Sequence, residues 1–211
     1  MGSRHGAIIY SSCQLGTALN AGDPNDPRDM FRGWSPVPLS DFGRKTMQQT
    51  AEWMKRMPIQ QIISSDLPRA EESANMISQA TGVPVTLDPR LRPLNVGALT
   101  GQVITPELKK VLDNAHTSKD QPIPGGESYN DFMNRYKSIF PDLLQAAQNQ
   151  NIAVVTHHRN LLALPYIFHG QEPKVKGPPE PGGVLALAKN GVRQLYAPPA
   201  SIAVYKEHAA S

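Results

Sequence analysis

Short apolar runs alternate with amphipathic stretches along most of this chain, and their order predicts the architecture. Ala7 to Tyr10, Gln61 to Ser64, Val83 to Leu87 and Ile152 to Thr156 are β-rich runs of strand length. Val184 to Ala188 and Val192 to Tyr196 flank Asn190-Gly191, a pair that favours the positive-φ geometry of a tight hairpin. Between the runs lie helical patterns. Phe42, Met47, Thr50, Ala51 and Met54 recur at helical spacing behind Ser40, predicting a helix over 41–57 that Pro58 ends. A second is expected over 68–81, with Pro68 at its first position and Gly82 just past its end. A third should cover 129–148, opened by a Ser128/Asp131 capping box and kinked at Pro141. An apolar helix follows the 152–156 strand as far as Phe168.

This alternation implies an α/β fold, a three-layer sandwich with a mainly parallel central sheet. The whole chain, 1–211, is read as a single domain. The stretch 93–127 is irregular apart from a helical piece near 105–115 and is expected to be a small cap insertion. The Pro- and Asp-rich segment 21–29 and the stretch 173–183 are expected loops, and 198–211 a loose tail.

Composition narrows the class. The 39% hydrophobic and 18% charged content suits a globular protein, and no apolar run is long enough for a bilayer. Met1 to Tyr10 is too weakly apolar for a secretory signal. A lone cysteine, Cys13, excludes an intrachain disulfide, so a reducing cytoplasm is the expected location. The net charge of +3 is spread along the chain rather than gathered into a basic patch, which argues against nucleic acid and suits a pocket for small anions. No metal or organic cofactor is implied, and the oligomeric state stays open.

Ligands of parallel α/β sheets sit beyond the carboxyl ends of the strands, so polar residues just after strands are the candidates. Arg69 falls in the first turn of the helix after the second strand, where a guanidinium can grip phosphate beside amide donors. It could equally be a surface arginine paired with Glu72 or Asp66. His157 directly follows the 152–156 strand and could donate to an oxyanion or a leaving group. The alternative is a core histidine bonded to backbone. Its neighbour His158 should point elsewhere.

Six segments, in order, resemble the histidine phosphatase superfamily, the phosphoglycerate-mutase-like fold. They are Thr17 to Asn20; Arg32-Gly-Trp34 with Pro38 to Ser40 and Gly43-Arg44; Ser64 to Ala70; Arg90 to Arg92 with Asn95 to Gly97; Pro124 to Ser128; and Val154 to His157. The likeness spans about residues 7–170. It implies a phosphomonoester hydrolase working through a phosphohistidine, with arginines and a second histidine stabilising the phosphoryl group. In that scheme Arg69 is the phosphate-gripping arginine, His157 the second histidine and Asn20 the residue closing the first-strand motif.

The nucleophile segment departs from the pattern. Counting back from Thr17, the expected Arg-His is replaced by Cys13-Gln14. Glutamine is not a nucleophile, and nothing near Cys13 in sequence would activate its thiol. Arg4-His5-Gly6 repeats the family motif, but using His5 and Arg4 would make Ile8 to Gly16 an insertion and take the best first strand out of the sheet. A local coding error over 11–16 is a third reading. The usual glutamate after the Leu-Arg of the third segment is also missing, since Pro93 follows Arg92, leaving Glu127, Asp131 and Glu107 as alternative proton donors. Two functions follow: a phosphohydrolase using His5 or another group, or a non-catalytic protein binding a small phosphorylated ligand through the same framework, with Cys13 and Gln14 lining it. A phosphoglycerate-type mutase fits less well, because 93–127 looks too short to enclose a phosphoenzyme.

Overall fold

The structure, a computed structural model, describes residues 8–12, 30–169, 184–188 and 191–196. Six strands form one sheet in the order β3-β2-β4-β1-β5-β6, from β1 (Ile8–Ser12), β2 (Gln61–Ser64), β3 (Val85–Leu87), β4 (Ile152–Thr156), β5 (Val184–Ala188) and β6 (Gly191–Tyr196). β3, β2, β4 and β1 run parallel, while β5 joins β1 and β6 joins β5 antiparallel. The mainly parallel sheet and its closing hairpin therefore match the pattern. β4 is buried along its whole length because it lies inside the sheet with helices on both faces.

The period of two decides which residues go to which layer. Ile152 and Val154 pack with α4 (Tyr129–Lys137), α5 (Phe140–Ala146) and α6 (His158–His169), through Phe132, Tyr136, Phe140, Leu143, Leu161 and Leu164. Ala153 and Val155, pointing the other way, pack with Ile62 against Met47, Ala51 and Met54 of α1 (Asp41–Met54) and Ala70, Ala74 and Ile77 of α2 (Pro68–Thr81). The sandwich has three layers.

Several boundaries differ from expectation. β1 extends through Ser12 rather than stopping at Tyr10, because Ser11 and Ser12 keep pairing with Val155 and Thr156. α1 ends at Met54, before Pro58 could act; Lys55 closes it and the chain turns through Met57. The helix expected over 129–148 is two helices, α4 and α5, with Pro141 in the first turn of the second, where its missing N–H costs nothing. The capping box at Ser128 and Asp131 forms in both directions. β3 is shorter than read, starting at Val85.

The stretch 93–127 holds a 3-10 turn at Gly97–Leu99 and α3 (Pro106–Ser118). It is integrated with the core: Leu94, Val96, Leu99, Leu112 and Ile123 join the cluster that covers Val154. The segments 21–29, 173–183 and 198–211 lie outside the described residues, as do Asn190 and the hairpin turn.

Candidate functional site

The carboxyl ends of β2 and β4 are neighbours, and the chain after each brings its polar residues together. After β2, the Ser65 amide donates to Val155 O at 3.0 Å, which holds Ser65 beside β4. Its Oγ lies 2.9 Å from Nε2 of His157, the first residue after β4. Both residues are buried. The ring is buried, as the core-histidine alternative has it, and a side-chain hydroxyl is among its partners. Burial first, and then the positive charges of Arg69 and Arg135, hold the His157 imidazole well below its usual range. It is neutral at physiological pH.

Arg69 enters one turn later, in the first turn of α2. Its Nη1 donates to Ser35 O at 3.0 Å and its Nη2 to Gly33 O at 2.8 Å. The two carboxylates named as its possible partners are engaged elsewhere: Asp66 takes Arg92 and Glu72 takes Arg44. The Arg32-Gly-Trp34 turn that meets Arg69 is itself pinned to Gly101 and Gln102 through Phe31. Gly33 has φ +45°, and a Cβ there would come within 2.6 Å of Val96 Cγ2, so this turn requires glycine.

A second ring of arginines braces the site. Arg92 and Asp66 pair through two parallel bonds, Nε to Oδ1 at 2.7 Å and Nη2 to Oδ2 at 2.6 Å. That hydrogen bonding holds the Asp66 carboxyl below the usual range. The Arg92 guanidinium also lies over the Trp34 ring at 4.6 Å, and Trp34 Nε1 donates to Pro93 O at 2.8 Å. Arg135 reaches from α4 to bond Glu127 twice, at 2.7 and 2.9 Å, while also donating to the carbonyls of Arg90, Arg92 and Pro93. Glu127 further accepts the Asn95 amide at 3.0 Å. As proton-donor candidates, then, Glu127 is committed to Arg135 and Asp131 to capping α4. Glu107 sits in the first turn of α3, with its carboxyl lowered by hydrogen bonds to its own amide and to Thr105.

Sequence reasoning did not single out Ser65 or Arg135. Their roles depend on contacts across 92 and 45 residues, which leave no local signal. The family segments Asn95 to Gly97 and Pro124 to Ser128 do meet: a Cβ on Gly97 would fall 2.2 Å from Pro124 O, and one on Gly126 2.4 Å from Asn95 O. Arg4, His5, Cys13, Gln14 and Asn20 lie outside the described residues. Ser12 pairs with Thr156, so β1 ends beside the residue that precedes His157.

The sequence profile of the histidine phosphatase superfamily (branch 1) matches residues 4–176, and the chain belongs to that superfamily. Among curated proteins it is similar to the probable phosphoglycerate mutase GpmB of Escherichia fergusonii, at 36% identity over 132 residues, covering 60% of this chain and 61% of that protein. It is also similar to the Proteus mirabilis protein of the same name, at 38% over 147 residues, covering 66% and 61%. The matched region thus spans about three fifths of those relatives. The fold is shared with a mycobacterial glucosyl-3-phosphoglycerate phosphatase (TM-score 0.66, 19% identity, 91% of this chain and 97% of that one). It is shared too with the alpha-ribazole phosphatase of Shigella flexneri (TM-score 0.69, 18% identity, 92% and 97%).

Proposed function

We propose that this chain binds a phosphate monoester beyond the carboxyl ends of β1, β2 and β4, with Arg69 and His157 on the phosphoryl oxygens, and that it turns the ester over poorly or not at all. The observation that carries this reading is the β1–β4 register. Because Ser12 pairs with Thr156, the chain leaves β1 as Cys13-Gln14 at the end where His157 follows β4. The family's arginine and nucleophilic histidine belong at those two positions. Their loss removes the phosphohistidine step while leaving the electrostatic part of the site, which can retain ligand and residual catalysis.

Arg69 suits an anion. Its guanidinium is buried and oriented by two carbonyls, so little side-chain entropy remains to be lost on binding. A phosphate dianion would offset the positive field of Arg69 and Arg135 that adds to burial in keeping His157 neutral, favouring a proton on the ring and strengthening its hydrogen bond to the ligand. Among possible ligands, a phosphorylated glycerate or sugar acid agrees with what the relatives' names describe. Arginines supply the positive charge, so the reading invokes no metal.

A second reading keeps His5 as nucleophile, and the start of the family match at Arg4 favours it. Distance weighs against it. From Ile8 to Ser12 the strand rises ~13 Å. Residues 5–7 span at most ~10 Å when extended, and they would also have to reverse direction.

Hydrolysis of p-nitrophenyl phosphate together with calorimetric phosphate binding tests the proposal. Wild type is expected to bind phosphate without appreciable turnover. Arg69→Met should weaken binding by roughly 10- to 150-fold, the worth of a charge-assisted hydrogen-bond pair. The double change Cys13→Arg and Gln14→His should create turnover. Efficient wild-type hydrolysis abolished by His5→Ala would overturn the reading.

A further inference from the structure

A second cluster of ionisable groups lies away from Ser65 and Arg69, in a cleft of about 690 Å³ between α3, α4 and the start of α6. The volume is within the range of small-molecule sites. Three cations line it, Lys119, Lys137 and Arg159, and among the described residues no aspartate or glutamate does. Its remaining wall includes Phe132, Met133 and Leu162, and Leu162 is 37% exposed, a large apolar side chain facing solvent on a helix otherwise packed on the sheet.

Arg159 is the unusual member. It is half-buried, and its Nη1 hydrogen-bonds Nε2 of His116 at 2.7 Å. A guanidinium cannot accept, so Nε2 must be the acceptor and the His116 ring must be neutral, with its proton on Nδ1. Burial and the charge of Arg159 push His116 down to about 4, in agreement. Burial also lowers Arg159 itself, outweighing the favourable fields of Tyr129 and Asp113. Among the described residues Arg159 has no carboxylate within ion-pair distance. By contrast Arg44, Arg90, Arg92 and Arg135 each have at least one. Desolvating a guanidinium without a counter-ion costs stability unless a ligand supplies the negative charge.

We infer that this cleft is a binding site for a small organic anion, its charged head on Arg159 with Lys119 and Lys137 and its apolar body along Phe132, Met133 and Leu162. The cleft is lined by residues other than Ser65, Arg69 and His157, and its ligand is independent of the function proposed for them. The cations set the sign of the ligand; the apolar wall requires a hydrocarbon part that inorganic phosphate lacks.

The test uses 2-naphthoate as probe on the full chain, by titration calorimetry and ligand-observed NMR, with neutral 2-naphthylmethanol as control. Naphthoate should bind wild type at least about tenfold more tightly than the alcohol, and Arg159→Gln should erase that difference. Lys137→Gln, a rim change that leaves the fold intact, should weaken naphthoate by about threefold and guards against an Arg159 variant that fails to fold. Arg69→Met should leave naphthoate affinity unchanged. No preference for the acid over the alcohol would overturn the inference. So would affinity retained in both Arg159→Gln and Lys137→Gln, or affinity lost in Arg69→Met.

Discussion

Two histidines in this molecule sit beside arginines, His157 buried and His116 half-buried, and their surroundings are built from different materials. His157 is reached by a serine hydroxyl, and the arginine nearest in role, Arg69, is held by backbone carbonyls of a glycine turn. His116 is reached directly by Arg159, and its surroundings are helix side chains, including the Tyr129 ring standing edge-on at 5.2 Å. Backbone cannot re-pack without changing the fold, whereas side chains on helix faces can. The difference suits the proposed roles: a rigid site for one small group on the His157 side and a more adaptable cleft on the His116 side. α4 serves both, since Arg135 reaches toward His157 while Tyr129, Met133 and Lys137 face the cleft.

The strongest way to break this contrast is through the glycines that let the backbone cross on the His157 side. Gly97→Ala adds a Cβ against Pro124 O and forces φ +48° on an alanine. Together these should cost roughly 2–6 kcal/mol in chemical denaturation, with loss of phosphate binding in whatever remains folded.

A smaller effect separates the histidines by pH. Both have folded values below the ordinary one, so between about 4 and the unfolded value near 6.5 the unfolded chain holds the more protons at His116. Stability therefore rises with pH through this window and falls as the solution is acidified. His116→Gln should flatten the dependence of Tm on pH over that range without altering phosphate binding at neutral pH; an unchanged slope would remove the burial of His116 as its source. The Asp66–Arg92 pair works in the same direction but further into acid. Its carboxyl is lowered, so its contribution is intact above the unfolded value of 3.8 and is lost below it.

The least effect comes from the element the two sides share. Ser128→Ala removes half of the capping box of α4 and should cost about 1 kcal/mol in urea denaturation. Because α4 supports both histidines, the change should weaken phosphate and naphthoate binding together or neither; a loss confined to one would show that the sides are mechanically independent.

Much of the fold was legible because it rests on local pattern. Ile152 to Thr156 reads as a buried strand from its apolar run, and Pro68 with Gly82 bounds α2 to the residue. Errors arose where a neighbour rather than the segment made the decision. Ser11 and Ser12 look like loop residues, yet β4 keeps them in the ladder. Met54 ends α1 four residues before the proline that should have stopped it. Leu94, Val96 and Leu99 lie in a stretch with no periodicity, but they are buried because α4 and the 124–127 crossing close over them.

The candidate site divides in the same way. Sequence by itself determined the sheet class, the placement of Arg69 and His157 just after strands, and that Cys13-Gln14 follows the first strand. These are one-dimensional facts, set by period, turn chemistry and motif order. Only the tertiary structure decided that Asp66 belongs to Arg92 and Glu72 to Arg44, that Arg69 is oriented by carbonyls from a turn 34 to 36 residues away, and that His157 meets Ser65. A charged side chain has several possible partners within its reach along the chain. Which one it takes depends on what else the packing has already desolvated.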